Sequence, residues 1–193
     1  MDPREYDRRV LESIDPTMRR VAAENLSLPT PCTGWTLGDL VRHMAGSHFG
    51  WAFAARGDAP DPAVWAGPDL GKDPYLVYRE SADAATAAFA DPDLLSRSLQ
   101  IHGYGTIPAA ATLHMHAVDF LAHGWDVAMA LGIEPVLDEE LCAHGLAIAQ
   151  RWPEVAFGSG DPFAAHVPID DAAPTGLRLM AYLGRDPHWT PSS

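Results

Sequence analysis

The chain has 193 residues, of which 47% are hydrophobic and 20% charged, and it carries a formal charge of −13. This is enough chain for one well-buried core, and no apolar run approaches the ~20 residues needed to cross a bilayer. The acidic balance, without a concentrated basic patch, excludes non-specific binding to nucleic acid or to an anionic membrane surface.

The N-terminal stretch Met1 to Arg9 is charged and has no apolar signal core, so the expected compartment is the cytoplasm. With only Cys32 and Cys142 present, no disulfide framework is expected. From Pro3 to about Asn25, Tyr6, Val10, Ile14, Met18 and Val21 recur every three to four residues, which predicts an amphipathic helix. Pro16 should kink or divide it. The run Leu28-Pro29-Thr30-Pro31-Cys32-Thr33-Gly34-Trp35 then breaks all periodicity and reads as a rigid loop.

Thr36 and Asp39 form a capping arrangement that opens a second helix, Leu37 to about Arg56. Its core face holds Leu40, Met44, His48 and Trp51, with His43 at the edge. Gly57 to Pro74 reads as a long crossover loop anchored by Trp65, and Tyr75 to Ala90 returns to helical spacing. Leu94 to Ile107, ending in Gly103-Tyr104-Gly105, reads as a short extended segment placed to lie across the mouth of a bundle, where His102 would sit.

The next helix, Pro108 to Gly132, carries the richest chemistry. Proline opens it and glycine closes it. Leu113, His116, Asp119, Phe120, His123, Val127 and Leu131 fall on one side, so three polar, metal-capable side chains share a stripe that should face the core. Burying them is costly unless something satisfies them. Asp119 and His123 lie one turn apart and can converge on one ion if another helix supplies a third ligand. His116 and Asp119 form a rival pair. His116 and His123 are separated by roughly 10 Å of rise and cannot share one metal easily. A buried histidine bonded to a buried aspartate would leave the same pattern. His114 points to the opposite side of the helix.

Asp138 to Arg151 predicts a further helix with Leu141, Cys142, Gly145, Leu146 and Ile148 on its apolar side, ended by Trp152-Pro153. Phe163 to Ile169 alternates loosely, like a short edge strand. Thr175 is placed to cap a last helix that stops at Gly184. The helices and crossovers together predict a mainly all-α fold, a four-helix bundle, whose interior is the expected place for a metal held by facing helices. One histidine from the second helix with Asp119 and His123 would leave an open coordination position, as catalytic metals require.

Three stretches carry a family resemblance: Pro29 to His43, with its Gly34-Trp35-Thr36 motif; Asp119-Phe120-Leu121-Ala122-His123-Gly124-Trp125-Asp126; and Leu183-Gly184-Arg185-Asp186-Pro187. In this order the chain resembles the DinB-like bundles, in the branch related to mycothiol-dependent maleylpyruvate isomerase. The resemblance implies a single DinB-like domain over residues 1–193, with an extension of about 156–193 packed on the bundle. It also implies a divalent metal, zinc or nickel, held by His43, Asp119 and His123, with aspartate standing where the isomerase has glutamate.

From the same resemblance, Arg185 is a candidate anchor for a substrate carboxylate, the rival reading being a structural salt bridge. Mycothiol or a similar thiol is the implied cosubstrate, and a small-molecule thiol adduct the implied partner, with a homodimer as a further expectation. Asp126 is placed either to orient a ligand from behind or simply to bond a loop amide. Cys32 reads as a small core residue, because nothing cationic flanks it in sequence. The expected function is a metal-dependent enzyme of the mycothiol-dependent isomerase or thiol-transferase type. The alternative is a non-catalytic bundle that binds metal or a small ligand.

Overall fold

The computed structural model of the chain describes residues 1–58, 61–158 and 163–191. Seven helices and one hairpin follow in the order α1 (Pro3–Met18), α2 (Leu37–Arg56), α3 (Pro62–Trp65), α4 (Pro74–Phe89), β1 (Ser98–Ile101), β2 (Gly105–Pro108), α5 (Ala109–Ala130), α6 (Glu139–Ala149) and α7 (Thr175–Tyr182). The long helices α1, α2, α4 and α5 form the bundle. Helix α1 packs on α5, α2 on α4, and α2 on α5, while α6 covers α5 and α7 packs on α6. No helix among the described residues is long and apolar enough to cross a membrane.

Helix α1 stops at Met18 rather than continuing to Asn25. Pro16 is taken into its last turn, where its missing N–H costs only the bond to the Glu12 carbonyl; the chain leaves the helix where the Arg20 N–H turns to the Thr17 carbonyl, three residues back, and Ala23–Asn25 form only a separate 3-10 turn. Helix α2 begins where its capping pair dictates: the Asp39 N–H donates to Thr36 Oγ1 at 3.2 Å and the Thr36 N–H donates to Asp39 Oδ2 at 3.0 Å. Crossover residues 57–73 contain the short helix α3, and part of that predicted loop, residues 59–60, lies outside the described residues. Trp65 does anchor this crossover: a Cβ on Gly50 would lie 2.5 Å from its ring, so only glycine lets the indole rest on α2.

The extended segment is an antiparallel hairpin, with Leu99 opposite Ile107 and Ile101 opposite Gly105. Leu99 and Ile101 face a core of Trp51, Phe89, Leu94 and Leu113. Gly103, at φ +81°, makes the turn that the Tyr104 N–H closes on the Ile101 carbonyl.

Helix α5 is buried almost all round, because α6 and the β1–β2 hairpin cover the sides that α1 and α2 leave open. Its closest approach is to α1, where a Cβ on Gly124 would lie 2.5 Å from Ile14 Cγ2. That requirement explains the one helix breaker inside α5. Two C-terminal expectations fail. Residues 163–169 contain no strand, only a single bridge between Phe157 and Phe163. Thr175 does not cap α7 either: Pro174 occupies the cap position, and the Thr175 N–H instead reaches Glu139 Oε1. Residues 159–162 and 192–193 of the predicted extension lie outside the described residues.

Candidate metal centre

His43 lies two turns into α2, where the capping pair sets its register, and the Trp35 ring packs on it at 4.9 Å between centroids. Asp119 and His123 project from α5 one turn apart, with His123 Nε2 and Asp119 Oδ1 3.4 Å from each other. The ring of His43 meets that of His123 edge-on at 5.2 Å. One donor atom from each of His43, Asp119 and His123 lies within 4.8 Å of the others, so the three can hold one ion.

A buried carboxylate fixes the ring of His123 from behind. Its Nδ1 lies 3.0 Å from Asp126 Oδ2, which leaves Nε2 for the cluster. Asp126 is fully buried and is paired in turn with Arg185, whose Nη2 donates to Oδ2 at 3.0 Å and Nε to Oδ1 at 3.4 Å. The aim of Arg185 follows from the end of α7. Gly184, at φ +79°, lets the Gly184 N–H reach the Ala181 carbonyl and the Arg185 N–H reach that of Met180, the Schellman pattern. Arg185 is thereby turned into the bundle, and the structure places it on Asp126.

The electrostatics mark the cluster as a place for positive charge. Burial opposes a charge on His123, but Asp119 and the bond to Asp126 outweigh it and hold its pKa up at about 10. Burial likewise opposes charge on Asp126, yet Arg185 and His123 hold it down at about 2. Burial, then the neighbouring His123, push His43 down to about 4 and keep it neutral, as a ligand must be. Two imidazoles and a carboxylate, one imidazole oriented by a second carboxylate, fit a divalent transition-metal ion.

The remaining residues singled out in the sequence go elsewhere. His116 Nδ1 pairs with Asp7 Oδ1 at 2.5 Å, and His48 Nδ1 lies 3.0 Å from Ser81 Oγ, so neither joins the cluster. His114 packs near Tyr6 and His144 on the far side of α5. Cys32 packs against the edge of the core, as expected, but does more than fill space. It is half-buried, its thiol donates to Asp126 Oδ2 at 3.2 Å, and with His123 and Asp126 it makes a second group of converging donors. Its cationic neighbour, Arg185, is remote in sequence and no local pattern reveals it. A loop signal did exist: Thr30, whose hydroxyl accepts from the Cys32 N–H and donates to the Trp35 carbonyl, holds the Pro-Cys-Thr-Gly-Trp turn beside the start of α2.

The cluster opens onto one cavity of about 1070 Å³. Its wall includes Cys32, His43, Asp119, His123 and Arg185, with His102 and Tyr104 from the hairpin tip at its side. A bundle that presents two histidines and an aspartate to a roomy cavity defines the class: a helical protein built around a candidate divalent-metal centre.

The chain belongs to the mycothiol maleylpyruvate isomerase N-terminal domain family, whose sequence model matches residues 8–128. Two Mycobacterium tuberculosis proteins, "Uncharacterized protein MT0763" and "Uncharacterized protein Rv0738", are each 33% identical to it over 188 residues, covering 96% of this chain and 98% of theirs. Among solved structures, the mycothiol-dependent maleylpyruvate isomerase shares the fold at a TM-score of 0.57 and 18% identity, over 75% of this chain and 66% of that one. A histidine-to-alanine mutant of such an isomerase aligns at a TM-score of 0.63 and 17% identity, over 83% of this chain and 72% of that one.

Proposed function

We propose that this protein is a divalent-metal-dependent enzyme that activates a small thiol, of the isomerase or thiol-transferase type. The observation that carries the reading is the convergence of His43, Asp119 and His123 on one point of a large cavity. Membership of a family named for a mycothiol enzyme supports the thiol as cosubstrate.

His43, Asp119 and His123 would hold the ion, zinc or nickel. When bound, it would supply Lewis acidity, lowering the pKa of a thiol or water at its free position. The chain's own residues do the rest. Asp126 keeps His123 in one tautomer and one orientation, with Nε2 toward the cluster. Arg185 neutralises Asp126, so that the carboxylate stays ionised although fully buried. Its engagement there favours the salt-bridge role over that of a carboxylate anchor. Trp35, packed on His43, limits how far that ring can swing.

The test is consumption of a small thiol in the presence of an electrophile by zinc-loaded protein. The expected result is a rate above that without protein, abolished by a chelator and by His123→Ala. Stable zinc binding with no turnover across thiol-dependent reactions would instead support a non-catalytic metal- or ligand-binding bundle.

A further inference from the structure

We infer that the cavity selects an uncharged adduct carrying an aromatic or alkyl group, and discriminates against dicarboxylates. The wall argues for this first. Trp51 and Trp65 meet edge-on at 6.1 Å, Trp152 and Phe163 stack at 5.4 Å, and all four rings line the cavity. The seat of Trp65 is built into α2 by Gly50. Aromatic walls of this kind take up flat apolar groups and offer an anion no countercharge.

Charge argues for it independently. Among the described lining residues, Arg185 is the one Lys or Arg, and its guanidinium is already engaged. It binds Asp126 through Nε and Nη2, donates from Nη1 to the Leu183 carbonyl at 2.9 Å, and lies over the Phe163 ring at 5.5 Å. Residues 159–162, Ser-Gly-Asp-Pro, add no cation in sequence. A divalent ion held by Asp119 would leave one net positive charge, which one anionic group cancels. A second carboxylate would lose its hydration in a low-dielectric cavity with no free arginine or lysine to pair with it, only donors such as the Tyr104 hydroxyl and the Trp65 N–H, which is costly. The inference takes only the thiol-adduct class from the proposed function; the aromatic wall and the engagement of Arg185 do not depend on an ion.

Two thioethers of equal size isolate the effect: 2-(benzylthio)succinamide, which is neutral, and 2-(benzylthio)succinate, a dianion. Binding is followed by the fluorescence of the cavity tryptophans, in zinc-loaded and in metal-free protein. The diamide is expected to bind at least about tenfold more tightly than the dianion in both forms. Trp65→Ala should weaken the diamide severalfold with zinc content unchanged. Equal or tighter binding of the dianion, no binding of either probe, or an unchanged diamide affinity in Trp65→Ala would overturn the inference. Failure of the protein to bind zinc at all would sink the proposed function alone, and the metal-free comparison would still decide this one.

Discussion

Helices α2 and α5 face each other with histidines at two levels, and the two levels behave differently. At the inner level, His48 and His116 are fully buried, and each has its Nδ1 held by a neighbour, Ser81 in one case and Asp7 in the other. Among the described residues their Nε2 atoms meet no partner, and no third ligand stands near. At the outer level, His43 and His123 meet Asp119 at the wall of a cavity, and Asp126 orients His123 from behind. Both levels pair histidine with aspartate. A third donor and access for an ion, rather than residue type or burial, separate a candidate centre from a core hydrogen bond.

Breaking the inner level should cost stability and leave metal alone. His116→Ala strands the Asp7 carboxylate in the core, and a loss of about 3–5 kcal/mol is expected by urea denaturation, with zinc content unchanged. Loss of zinc from this folded variant would erase the distinction between the levels.

A smaller effect sharpens the outer level. Asp126→Asn keeps shape but removes the charge that orients His123, and zinc affinity measured against a competing chelator should fall by about 10–100-fold. An unchanged affinity would reduce Asp126 to a partner for Arg185.

The smallest effect concerns pH. Burial, then the nearby His116, hold the His48 pKa well below 6.5. Because the folded pKa lies below the unfolded one, the unfolded chain binds the extra proton as pH drops beneath about 6.5, and stability falls with it. This group contributes at most about 1.4 kcal/mol per pH unit. His48→Gln should remove that part of the acid slope, as read by thermal unfolding between pH 5 and 8.

Much of this contrast was legible in the sequence, and the limits were physical. Periodicity marked His48 as more buried than His43 and separated His116 from His123, because helical geometry fixes rise and facing. The capping pair at Thr36 placed α2, since a cap is local chemistry. What depends on remote segments was not readable. Asp7 arrives from α1 to take His116, and Arg185 arrives from beyond α7 to reach Asp126 and the neighbourhood of Cys32. The Thr175 cap failed because α7 starts one residue earlier than expected, with Pro174 at the cap position and the Thr175 N–H given to Glu139 from α6. Residues 163–169 alternate but pair with no strand, and alternation alone does not supply a partner.

The most direct measurement is zinc content by elemental mass spectrometry on purified protein and four variants: His43→Ala, His123→Ala, His48→Ala and His116→Ala. The account predicts about one ion per chain in the wild type, lost in the first two variants and kept in the folded forms of the last two. Wild-type protein that cannot be loaded, or zinc retained in His43→Ala and His123→Ala, would contradict it.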